Sequence, residues 1–121
     1  MQINHFTDIQ AWQEARMLNS EIHRHTQNEP LAKNFGLRDQ MQRSSVSIMA
    51  NIAEGFGRGG KKEFIRFLRI SHGSAYELSS HLYVALDLGY INQEDFDTAQ
   101  SKITDTVKLI GGFIRYLRKK D

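Results

Sequence analysis

The sequence predicts an all-α fold, an up-down-up-down antiparallel four-helix bundle. Three observations carry the prediction. Phe64, Leu68, Ser71, Ala75, Leu78, Leu82 and Ala85 repeat at spacings of four and three without a break, the period of one face of an α-helix. Three further stretches repeat with the same pitch, separated by short connections marked by Asn, Pro or Gly, and no stretch alternates apolar and polar residues as a half-buried strand would.

In order along the chain, Thr7-Asp8-Ile9-Gln10 fits a capping box, with Thr7 as the cap and Gln10 reaching back to it. Ala11, Ala15, Leu18 and Ile22, with Trp12 beside them, form the apolar stripe of a first helix that ends near Gln27. Residues 28–36, punctuated by Pro30 and Gly36, connect it to a second helix. That helix carries Leu37, Met41, Ile48 and Ile52, and the small residues Ser44, Ser45, Ser47, Ala50 and Ala53 between them allow a neighbour to approach closely. Asp39 and Arg43 have the favourable order for an i, i+4 pair.

The third helix, from Lys61 to Leu88, would be about 42 Å long at roughly 1.5 Å per residue, and Gly89 closes it. Asn92 is placed to cap the fourth helix, with Ile91 and Phe96 as a hydrophobic staple. Phe96, Ala99, Ile103, Val107, Ile110, Ile114 and Leu117 form its core stripe, and Arg118-Lys119-Lys120 end it where the helix dipole favours cations. Gly111-Gly112 inside this helix imply a kink or a close helix contact, since each costs about 1 kcal/mol relative to alanine.

The chain has 121 residues, 40% hydrophobic and 25% charged, which fits one globular domain over residues 1–121. It has no cysteine, so disulfides, thiolate zinc sites and cysteine nucleophiles are excluded. The first residues lack the basic and apolar segments of a secretion signal and no apolar run is long enough to cross a bilayer, so a cytoplasmic, non-membrane protein is expected.

The formal net charge is only +2, but bundle topology segregates the charges. One end would collect Arg58, Lys61, Lys62, Arg66 and Arg69 from the turn and third helix with Arg115, Arg118, Lys119 and Lys120 from the fourth. The other would collect Glu29, Asp87, Glu94, Asp95 and Asp97. The basic end reads either as a phosphate-binding surface for nucleic acid or as a solvated helix end whose cations complement the dipole. No recognised base-reading module accompanies it.

Gly55-Phe56-Gly57-Arg58-Gly59-Gly60 matches G-x-G-x-x-G in form, but a dinucleotide site needs a strand before it, and here a helix precedes it. A helix C-cap with Gly55 in the left-handed position, followed by a flexible turn, is the expectation. Glu54 is expected to pair with Arg58 or Lys61, and Asn51 to hydrogen-bond inside the bundle. His72-Gly73-Ser74 with Glu77 invites a catalytic triad, which a continuous helix with occupied backbone N–H groups argues against; Gly73-Ser74-Ala75 reads instead as a close helix crossing. His23 and His25 project about 200° apart and His72 and His81 about 180° apart, so no metal site is expected. No cofactor and no catalysis are expected either. Ile65, Tyr76 and Tyr83 on the third helix and Leu109, Phe113 and Tyr116 on the fourth lie beside the core stripes, as a wide core or an oligomer interface would place them.

Arg43-Ser44-Ser45-Val46-Ser47-Ile48, Asn51-Ile52-Ala53-Glu54-Gly55, Arg58, Phe64, Leu68, Gly73-Ser74 and Glu77, with Phe6-Thr7-Asp8-Ile9-Gln10-Ala11-Trp12 and Leu86-Asp87-Leu88-Gly89-Tyr90-Ile91, resemble the 23S rRNA intervening-sequence protein family, also called the four-helix bundle protein family. His72 departs from the alanine-arginine pair expected before Gly73-Ser74. The resemblance implies a small bacterial four-helix protein, often a ring-like homopentamer, with no established catalysis. It also implies RNA, because members are encoded within insertions in ribosomal RNA genes and a related accessory protein of diversity-generating retroelements is a basic pentameric barrel. Arg43, Asn51, Glu54, Gly55, Arg58, Gly73, Ser74 and Glu77 are the family-motif positions. A non-enzymatic homo-oligomer that binds RNA or other nucleic acid through its basic end is the expected function, with a protein-binding scaffold as the alternative.

Overall fold

The computed structural model describes residues 2–120. A 3₁₀ turn, Phe6–Asp8, leads into helix α1, Gln10–Thr26; a second 3₁₀ turn, Leu31–Lys33, leads into α2, Phe35–Arg58, and then come α3, Lys61–Asp87, and α4, Gln93–Lys119. No strand occurs among the described residues. Each helix packs on the next and α4 returns to α1, the cyclic neighbour order of an up-down-up-down bundle. Leu18, Ile22, Leu31, Met41, Ile48, Ile52, Leu68, Leu78, Leu82 and Ile110 are fully buried at its centre.

Three helix ends differ from the sequence expectation. Thr7 caps nothing: the His5 ring accepts from the Thr7 N–H at 3.4 Å, and the Asp8 carboxylate accepts from the Asn4 and His5 N–H groups at 2.9 and 3.1 Å. The 3₁₀ turn is therefore the capped element, and the chain then turns inward to bury Ile9, which starts α1 without a side-chain cap. At α2 the cap is Asn34, whose side chain accepts from the Leu37 N–H at 3.2 Å, so Gly36 lies inside the first turn.

The third difference concerns Gly55, which is not the left-handed residue. Gly59 takes that conformation at φ 84°, one turn later, a region in which only glycine is unstrained. Gly55 instead sits buried against α3: a Cβ there would stand 2.8 Å from the Phe67 Cβ and 2.9 Å from the Phe64 ring. The residue is glycine because two helix backbones meet at it, and α2 continues past it to Arg58.

α2 and α3 share the most extensive contact in the molecule, and small polar residues line it. The Ser71 hydroxyl donates to the Ile48 carbonyl at 2.6 Å, the Ser47 and Ser74 hydroxyls lie 2.8 Å apart, and the Asn51 amide donates to the Ser47 carbonyl and hydroxyl at 2.8 and 2.9 Å. Ser47, Ser71, Ser74 and Asn51 thus each find a partner across or along the seam. Asn92 caps α4 as expected, accepting from the Asp95 N–H at 2.7 Å.

Candidate nucleic-acid interface

The antiparallel order brings the end of α2, the start of α3 and the end of α4 together, and the Lys61 ammonium donates to the Lys120 carbonyl at 2.6 Å across that end. The five arginines among the nine basic residues gathered there divide into two groups by what surrounds them. Arg58 is held by Glu54 at 2.8 Å, one turn back on α2, and lies over the Phe67 ring at 5.0 Å. Arg66 grips Glu63 through two nitrogens at 2.8 and 3.3 Å and also lies over the Phe67 ring, at 4.5 Å. The hydrogen bond from Arg66 holds the Glu63 carboxyl below its ordinary range, and the same contact raises the guanidinium. These two arginines are engaged in cation–π and ion-pair contacts.

Arg69, Arg115 and Arg118 make no ion pair among the described residues. The spacing places them together. Arg69 and His72 are three apart on α3, while Gly111, Arg115 and Arg118 follow at four and three on α4, and with Ile114 they line one open groove of about 400 Å³ between the helices. No acidic residue among the described residues lines it. Gly111 keeps the floor low, with the Arg115 guanidinium 3.5 Å from the point where a Cβ would stand. The Gly111-Gly112 pair lies within the unbroken α4 and makes no close helix crossing, since an added Cβ at either position would meet only the Arg115 guanidinium. Lys61, Lys62, Lys119 and Lys120 stand exposed at the rim of the same end. Guanidinium forks without carboxylate partners are suited to bidentate contact with phosphate oxygens.

The family-motif positions divide in the same manner. Asn51, Gly55 and Ser74 are spent inside the α2–α3 seam, and Glu54 holds Arg58. Arg43, Gly73 and Glu77 are exposed. The expected Asp39–Arg43 pair is absent, because Asp39 bonds its neighbour Arg38 at 3.0 Å. Gly73 faces open space rather than a helix crossing, while Glu77 lies 3.8 Å from His81. The triad reading of His72 and Ser74 fails on geometry: the Ser74 hydroxyl is engaged with Ser47, and the His72 ring packs edge-on against Tyr76 at 5.1 Å.

Of the residues placed beside the core stripes, Tyr76 and Tyr83 are 59% and 55% exposed. Ile65, Leu109 and Tyr116 are half-buried. Phe113, expected on the outer strip, is a core residue at 8% exposure, drawn in by the Phe64 ring 5.4 Å away.

One polar cluster escaped the sequence reading. Glu21 on α1 is buried, 2.7 Å from Lys102 on α4 and 3.5 Å from His25. Burial pushes its carboxyl up, but hydrogen bonds and charge from Lys102 and His25 outweigh this and hold it below the ordinary value. An acid four residues before a histidine, one position from the core residue Ile22, was the available signal.

The fold and its basic end define a class: an all-helical bundle with an arginine-lined groove. No cluster that could hold a metal ion and no helix long and apolar enough to cross a membrane occur among the described residues. The model of the 23S rRNA-intervening sequence protein family matches residues 7–112, and the chain belongs to that family. A solved structure from Bacteroides thetaiotaomicron, described as a protein of unknown function from the S23 ribosomal protein family, is similar to it at 26% identity and a TM-score of 0.78, covering 86% of this chain and 97% of its own. No curated protein matches.

Proposed function

We propose that this protein is a non-enzymatic, homo-oligomeric RNA-associated protein that holds the phosphate backbone in the α3–α4 groove. The single observation that carries the reading is the set of three arginines, Arg69, Arg115 and Arg118, lining one groove with no acidic partner among the described residues. Like-charged side chains repel, and a surface used only for solubility would intersperse acids among them. A polyanion relieves that repulsion and releases its own counterions on binding. The exposed Tyr76 and Tyr83 rings support self-association, and a ring of subunits would multiply a modest site.

Binding of a structured RNA across a salt series tests the reading. Affinity should fall steeply, with a log–log slope set by the number of phosphates contacted, whereas no binding at low salt removes it. A second reading, a scaffold for another protein, is favoured by the exposed apolar residues Val46, Ile70 and Val84 on α2 and α3. Partners captured equally before and after nuclease treatment would favour the scaffold.

A further inference from the structure

The glycine turn between α2 and α3 borders a second cavity, on the far side of α4 from the arginine groove. Four aromatic rings wall it. Phe56 meets Phe64 edge-on at 6.2 Å, Phe64 meets Phe113 at 5.4 Å, and Phe113 stacks on Tyr116 at 5.9 Å with nearly parallel planes. The cavity is open and holds about 380 Å³, and its mouth carries Lys61 and Lys120 beside Gly59 and Gly60. The Lys120 ammonium lies over the Tyr116 ring at 5.7 Å. Gly60 gives α3 no side-chain cap, so the first N–H groups of that helix point outward at the mouth beside two lysines.

We infer that this cavity receives one unpaired nucleobase from an RNA end or bulge, with the phosphate next to it held at the mouth. The inference rests on the proposed association with RNA and names which part of an RNA the protein selects. An aromatic wall offers any base a stacking face, the means by which proteins take bases splayed out of single-stranded RNA. The charge around the mouth is complementary to the phosphate that must accompany the base, and no acidic residue among the described residues lines the cavity. The turn is glycine at 59 and 60 and carries no side chain to close the entrance. The run that resembles a nucleotide loop in sequence thereby gains a role as a doorway.

Two RNA duplexes of equal charge test this, one ending in an unpaired 3′ adenosine and the other in an abasic residue at the same position. The adenosine duplex should bind about tenfold more tightly, in keeping with stacking of a single base. Gly60→Trp should erase the difference, and it is compatible with the fold because φ at Gly60 is −115° and an added Cβ meets nothing within 4 Å. Tyr116→Leu, which keeps apolar volume and removes a stacking face, should reduce it. Equal binding of both duplexes by the unsubstituted protein overturns the inference and leaves RNA association standing; binding of neither removes both. If Gly60→Trp dissociates the oligomer and the tenfold preference persists, the cavity belongs to a second copy of the chain and the inference falls.

Discussion

Helix α3 has two seams, and they are built on opposite principles. Against α2, side chains have been reduced until the backbones nearly touch: glycine at 55, serine at 47, 71 and 74, with each buried hydroxyl bonded. Against α4, at the basic end, the arginines that line the groove have no acidic partner among the described residues. A satisfied seam lowers the free energy of the fold, while an unsatisfied one stores affinity for something absent. The contrast teaches that motif residues need not be site residues. Asn51, Gly55 and Ser74 carry the family resemblance and lie in the packing seam, whereas the groove arginines lie outside that motif.

The comparison breaks most readily at Gly55. Gly55→Val puts methyl groups where even a Cβ is 2.8 Å from Phe67, and overpacking of that kind should cost about 3 kcal/mol, measured by urea denaturation. A cost below about 1 kcal/mol would mean that α2 and α3 are not closely packed. Next in size is Glu21→Gln, in the α1–α4 contact. It should cost about 2 kcal/mol at pH 7, less than the roughly 3–5 kcal/mol for breaking a fully buried pair, because Lys102 is 44% exposed and solvent screens it.

The same residue sets a pH dependence. With its folded-state carboxyl below the ordinary value of 4.5, Glu21 contributes fully above about pH 5 and progressively less as pH falls through that value toward the lowered one. Stability measured from pH 6 down to pH 3 should decline less in Glu21→Gln than in the unsubstituted protein. Smaller again, Ser71→Ala removes the bond to the Ile48 carbonyl and should cost about 1 kcal/mol. Gly73→Ala has the opposite sign. Its Cβ enters open space, so better helix propensity should add up to about 1 kcal/mol of stability; a loss would show that Gly73 is covered by a partner.

Most of the fold was legible in the sequence because helical periodicity and capping are local. The stripe from Phe64 to Ala85, the Asn92 cap and the Glu54–Arg58 pair all follow from spacings of three or four residues. Where reading failed, a tertiary contact had overruled a local rule. Burial of Ile9 displaced the start of α1, Phe64 and Phe67 placed Gly55 in a seam rather than a cap, and the Phe64 ring drew Phe113 inward. The basic end was legible as a set of nine residues. Its division into paired Arg58 and Arg66 and unpaired Arg69, Arg115 and Arg118 was not, because partner choice depends on rotamers that spacing does not fix. The Glu21–Lys102 pair joins residues 81 positions apart, beyond any local pattern.

The central claim is that the unpaired arginines, not the paired ones, hold nucleic acid. Two variants of unequal surroundings decide it: Arg69, Arg115 and Arg118 changed together to glutamine, and Arg58 and Arg66 changed together to glutamine, each titrated with one structured RNA across a salt series. The groove triple should lose affinity and flatten the log–log salt slope by about three, one for each phosphate contact removed. The paired double should change the slope by less than about one. Equal losses from the two variants, or a larger loss from the paired double, would contradict the account.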